Sequence, residues 1–378
     1  MDWFTGSKQG EVKRLISQLA DSVKRDSAAR ELIKLGADAV PPLIDSLQSQ
    51  DPNLVLYCQH ILARIPAATP LLVKALATAH PLVRGRVADV FGITKDNSVV
   101  PALLDAAKGE FFTVRVRAAL ALANIGDPRV VNFLLPLLKD GEAEVRSAAC
   151  VAIAKFNDPT TFDEITAVLL DDPLIEVRQS AARALGGTKH SAALPFLMEA
   201  LRDSSWWFEQ EQAAADLLDA IKNMGPSAIE PLIEALQDRE GTVRRYAARV
   251  LGEMGDVRAI EELGMTLYDL HVEVGRAAAE ALAKFGAPAV DILVEALSHP
   301  EAAVREHAVT ALGLIQDVRV APALVEMLRD PDREVVRQSI LALGKLNDAR
   351  AESALREIAS SRADRELSML AKQALGRA

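Results

Sequence analysis

Aromatic residues are scarce in this chain. Phe, Trp and Tyr make up 4% of the 378 residues, although half of all residues are apolar. The core must therefore be built from Ala, Leu, Val and Ile. Such small side chains suit helices whose axes approach to about 8–10 Å. Cysteine is scarcer still: Cys58 and Cys150 stand far apart, which excludes a disulfide framework and fits a reducing compartment. An excess of positive charge is also missing. At a formal net charge of −10 the chain lacks the Lys/Arg surplus that phosphate neutralisation needs, so a nucleic-acid partner is not expected. No apolar run approaches the roughly 18 residues of a membrane span, and the first ten residues do not read as a secretion signal. The expected location is the cytoplasm. There is no Walker loop, no dinucleotide fingerprint, no Cys-x-x-Cys and no Gly-x-Ser-x-Gly.

What is present is a repeat of about 31 residues. Its clearest copies begin at Val145-Arg146, Val177-Arg178, Val243-Arg244 and Val304-Arg305. Weaker ones begin near Lys24, Leu54, Val83, Val114, Val274, Val335 and Leu367, with a degenerate one near Ala213. With the Val as position 0, apolar or small residues fall at positions 0, 4, 5, 7, 8 and often 11, one broad face of a 3.6-period helix. Gly at position 12, as in Gly126, Gly255 and Gly286, predicts a left-handed C-cap. Asp at position 13 (Asp96, Asp127, Asp158, Asp256, Asp317, Asp348) predicts the N-cap of the next helix. A second apolar stretch follows and closes at an Asp, as in Asp51-Pro52, Asp172-Pro173 and Asp330-Pro331.

Each unit thus reads as helix A, a tight turn, then helix B. Pro42, Pro101, Pro195, Pro231 and Pro322 share one register. An interior proline costs a helix about 3 kcal/mol, so helix A starts late or bends there. One hairpin cannot bury both of its apolar faces, and stacking buries them. The expected fold is an all-α solenoid of about twelve hairpins, continuous over residues 1–378, with an irregular junction around 203–213.

The pattern Val-Arg-x-x-Ala-Ala-x-Ala-Leu-Gly-x-x-Gly-Asp, clearest at 145–171 and 304–330, resembles the short HEAT-like repeats of the phycobilisome-lyase class. That class includes bilin lyase subunits, a di-iron hydroxylase, a DNA glycosylase family and many scaffolds. The hydroxylase resemblance implies iron held on His-Glu dipeptides, but none of the six histidines here precedes Glu. The glycosylase resemblance implies a basic face, which the acidic balance opposes. Tyr57-Cys58-Gln59-His60 is similar to the Cys- and His-bearing motif of isomerising lyase subunits. Cys58, however, occupies position 4, where most copies have Ala, and reads as a small buried residue. No cofactor, metal or catalytic residue is expected, and a bilin lyase-like subunit or chromophore-transfer chaperone is the alternative to a non-catalytic scaffold.

The repeat also sorts the charges. Arg84, Arg115, Arg146, Arg178, Arg244 and Arg305 all occupy position 1, which predicts a structural ladder of ion pairs or turn contacts. The resemblance implies that helix B lines the concave surface and binds another protein. Positions 2, 3, 6 and 10 should face that surface and are mostly polar. Ile93, Val116, Leu120 and Val151 break the rule, and Tyr57 and His60 extend the stretch. Two readings stand: an apolar partner patch, or burial of these side chains by curvature. A second anomaly is Trp206-Trp207-Phe208 in an insertion of about five residues. It is either an aromatic interface or a plug for an imperfect junction. The last repeat carries Arg362, Asp364, Arg365, Glu366 and Lys372 as a polar cap; without one, that end would self-associate.

Overall fold

The computed structural model describes residues 3–202 and 211–376, and every regular element in them is helical. Trp206, Trp207 and Phe208 lie outside the described residues. The chain packs as two compact units, Met1–Ala220 and Ile221–Ala378. Each is a row of helical hairpins, and the fold class is the α-solenoid.

In the first unit the helices are α1 (Trp3–Gln18), α2 (Arg25–Leu35), α3 (Val40–Ser46), α4 (Pro52–Leu62), α5 (Thr69–Thr78), α6 (Pro81–Thr94) and α7 (Val100–Ala106). They continue as α8 (Phe112–Ile125), α9 (Val131–Leu134), α10 (Ala143–Ala154), α11 (Phe162–Asp171), α12 (Ile175–Thr188) and α13 (Leu194–Arg202). The even-numbered helices are the B helices and pack one on the next. The odd-numbered ones form the other layer. Leu103, Leu122, Leu134, Ile153, Phe162 and Leu185 are fully buried between the layers. The second unit repeats the plan with B helices Gly241–Met254, Val272–Phe285, Ala302–Ile315, Arg333–Leu346 and Arg365–Leu375. Leu232, Leu263, Leu293 and Leu324 are fully buried beneath them.

The helical period explains the burial. In α10 positions 0, 4, 5, 7 and 8 are Val145, Ala149, Cys150, Ala152 and Ile153, and all are at most 0% exposed. Gly at position 9 brings neighbouring B helices closer than Ala would allow. A Cβ on Gly252 would lie 2.6 Å from the Ala281 Cα, and one on Gly186 would lie 2.6 Å from the Ala220 carbonyl oxygen.

The turn chemistry follows the repeat with one correction. Gly126 and Gly255 close their helices in the left-handed region. Lys95, Asn157, Lys189, Gln316 and Asn347 take positive φ in the other copies. Gly286 differs: its φ is 69° but its ψ is −134°, an extended ψ that starts the next turn without an Asp. The position-13 carboxylates accept from the backbone N–H two residues on, as in Asp127 to Arg129 at 3.0 Å and Asp317 to Arg319 at 2.9 Å. They cap a 3-10 turn, and the α-helix begins only after it. That delay accommodates the shared proline register. Pro42, Pro101, Pro195, Pro231 and Pro322 all fall in the first three residues of their α-helices, where the N–H has no helical partner to lose.

Candidate functional site

The ladder arginines account for much of the polar chemistry. Arg146 donates from Nε to Asp172 Oδ2 at 2.6 Å and from Nη2 to Oδ1 at 3.0 Å, while its Nη1 reaches the Asp140 carbonyl at 2.9 Å. Arg115 grips Asp140 in the same way, Arg244 grips Asp269 and Arg305 grips Asp330. Each fork joins the start of one B helix to the turn before the next, and bidentate geometry makes it directional. Arg84 has Gly109 where the carboxylate would stand. Its Nε donates to the Leu76 carbonyl at 2.8 Å and its guanidinium lies over the Phe111 ring. Arg178 donates to the Leu169 carbonyl at 2.9 Å.

The B-helix face of the first unit holds what remains. Ile93 and Val151 are exposed, at 39% and 41%, while Val116 and Leu120 are half-buried. His60 is exposed, and the Tyr57 ring is half-covered by the Arg25 guanidinium at 4.4 Å. Because α8 and α10 are neighbours, Leu120 and Val151, both at position 6, stand one helix apart.

Position 6 of α6 is Asp89, and the structure gathers around it a cluster that the sequence reading missed. Gln59 donates its amide to Asp89 Oδ2 and to the Arg86 carbonyl, both at 3.0 Å. Arg117 forms an ion pair with the same carboxylate oxygen. Arg86 donates to the carbonyls of Ser49, at 2.8 Å, and Leu47. Gly85 makes room for this arrangement: a Cβ there would lie 2.7 Å from Arg117 Cδ. Burial pushes the Asp89 carboxyl above its ordinary value of 3.8, against the opposing pull of Arg117. Burial and then Arg117 lower Arg86. A mid-helix glycine at a solvent-facing position was the signal available in the sequence, since Gly costs a helix about 1 kcal/mol relative to Ala.

Two other groups are placed by burial. Cys58 and Cys150 are free and fully buried, and burial pushes both thiols up to about 12. Neither presents a thiolate. His307, at a position expected to be exposed, is 8% exposed, and its Nδ1 has no hydrogen-bond partner. Gly275, at the position that Arg244 and Arg305 hold in the flanking repeats, lies beside it. A Cβ there would lie 3.4 Å from that nitrogen. Among the described residues, no group of three or more His, Cys, Asp or Glu side chains is placed to hold a metal ion. Among them, too, no single helix is long and apolar enough to cross a membrane.

HEAT repeats match this chain at residues 100–174, 162–241, 208–283, 229–299 and 290–376. Over 103 residues the chain is 32% identical to phycocyanobilin lyase subunit beta of Pseudanabaena tenuis (strain PCC 7409), an alignment covering 27% of this chain and 35% of that protein. Among solved structures, Kap121p superposes with a TM-score of 0.55 at 14% identity, over 100% of this chain and 50% of that one. Kap121p bound to Nup53p gives 0.54 at 13% identity, over 97% and 52%. At such identities the likeness is one of fold. The chain spans about a third of the curated relative and about half of Kap121p.

Proposed function

Since the chain belongs to the HEAT repeat family, we propose that it is a non-catalytic scaffold that holds a partner protein on the B-helix face of its first unit. The observation that carries this reading is the exposure of Ile93 and Val151 on the B-helix face that also carries the Gln59–Asp89–Arg117 cluster. The apolar side chains supply area to bury and the cluster supplies direction. The ladder absorbs the neighbouring arginines, and the thiols are sealed in the core. Kap121p, with the same fold, has been crystallised bound to Nup53p. Two buried free cysteines fit a reducing compartment. The test is an affinity pull-down from the native cell with the wild type and with Leu120→Glu/Val151→Glu. The reading predicts loss of the captured partner at an unchanged melting temperature. Capture that survives the double substitution would overturn it.

The similarity to phycocyanobilin lyase subunit beta favours a second reading, a bilin lyase-like subunit or chromophore-transfer chaperone. In that role the chain would hold a chromophore or its acceptor protein without attacking it, because Cys58 is buried. Mixing with phycocyanobilin should then shift the visible absorbance, and Cys58→Ala should leave that shift intact. An unchanged spectrum would remove this reading.

A further inference from the structure

The helix-A layer of the first unit contains a cleft that the scaffold reading does not use. Its origin is local. Pro136 lies in the second position of a 3-10 stretch, Leu135–Lys139, that follows the four-residue α9. Proline offers no N–H to continue an α-helix. In a 3-10 helix the side chains at i and i+3 eclipse one another. Leu135 and Leu138 therefore stack on one side, and both line the cleft. The opposite wall is α11, whose Glu164, Ala167, Val168 and Asp171 lie three or four residues apart and share a face. Ala167 is exposed, and its small side chain leaves the cleft unfilled.

The cleft is open along one side and has a volume of about 620 Å³, within the roughly 300–1,000 Å³ of ligand-holding clefts. Its floor is apolar (Leu135, Leu138, Val168) and its rim is acidic. Two cations, Lys139 and Arg146, face five carboxylates among the lining residues. Of those five, Asp140 and Asp172 are held by the Arg115 and Arg146 forks. Asp163, Glu164 and Asp171 are exposed and carry the uncompensated charge. An occupant must bring positive charge to the rim and aliphatic carbon to the floor. The rim residues Asp163, Ala167, Asp171 and Pro173 are all solvent-exposed, so a polypeptide can run along the open side while its side chains drop in.

We infer that this cleft docks a basic segment of another polypeptide, with Lys or Arg against Asp163, Glu164 and Asp171 and aliphatic side chains against Leu135 and Leu138. The surface is separate from the B-helix face and stands or falls independently of it.

The probe is a short fluorescein-labelled amphipathic peptide of Leu and Lys, titrated by anisotropy against the full chain. Two comparison peptides replace Lys by Glu or Leu by Ser. Saturable binding is expected for the Leu/Lys peptide alone. It should weaken at least tenfold in Asp163→Asn/Glu164→Gln/Asp171→Asn, which removes charge at constant shape, and in Ala167→Phe, which fills the cleft. Leu120→Glu/Val151→Glu should bind like the wild type. No binding of the Leu/Lys peptide, or undiminished binding by Ala167→Phe, would overturn the inference. So would equal binding of the Lys/Ser peptide, which would mean diffuse attraction to a chain of net charge −10.

Discussion

Arg146 and Asp172, 26 residues apart, meet in a two-pronged ion pair whose side chains are 12% and 4% exposed. The fork fastens the start of α10 to the turn before α12. Removing one partner of such a pair leaves a charge without compensation in a poorly solvated site, at a cost of about 3 kcal/mol. Arg146→Met is therefore expected to lose about that much stability in urea unfolding. The double variant Arg146→Met/Asp172→Leu should recover part of the loss, because the orphan carboxylate is gone. A single variant within about 0.5 kcal/mol of wild type, the range of ordinary surface substitutions, would show that the ladder is decorative.

Gly252 should resist a substitution that helix propensity favours. Ala gains about 1 kcal/mol over Gly inside a helix. Here its methyl would sit 2.6 Å from the Ala281 Cα and 2.7 Å from its Cβ, and backbone cannot yield as a flexible side chain can. Overpacking of this kind costs about 1–3 kcal/mol. Gly252→Ala is expected to lower the melting temperature, and Gly313→Ala, which meets Ala342 in the same way, should follow it. Gly10→Ala, with nothing within 4 Å, is the control that should not.

Two aspartates should impose opposite pH trends. Hydrogen bonds from Arg305 hold Asp330 below its ordinary 3.8. Its ionised form stabilises the fold in full above that value, and the benefit is lost as pH falls through the folded value. Burial holds Asp89 above 3.8. Its contribution is full below 3.8 and lost as pH rises through the folded value. Melting curves from pH 7 to pH 3 should show the deficit of Asp330→Asn shrinking on acidification. Asp89→Asn should gain relative to wild type as pH rises. Parallel curves for the two variants would contradict the assignment.

The thiols should be silent in the native protein. With Cys58 and Cys150 pushed to about 12, thiolate at pH 8 is on the order of one part in ten thousand. Ellman's reagent is expected to titrate neither under native conditions and both in guanidinium. A rapid native reaction at Cys58 would revive a covalent role.

The sequence by itself determined the repeat, the helical hairpin and the register of its charges. These are local matters: apolar residues at a 3.6 period, a left-handed residue to end helix B, and a carboxylate to open the next turn. Position 1 of the B helices could be singled out as the ladder because arginine recurs there in Arg84, Arg115, Arg146, Arg178, Arg244 and Arg305. What sequence could not supply were the unrepeated contacts. The cluster around Asp89 needs Gln59, Arg86 and Arg117 from three different helices, and the Arg117 side chain lies against α6 at Gly85. His307 is buried against Gly275 of another helix. The cleft lies between the Pro136-bearing 3-10 segment of one helix A and the small side chain of Ala167. Periodicity reports the average environment of a position. Each of these sites departs from that average, and only packing between neighbouring repeats decides what such a departure becomes.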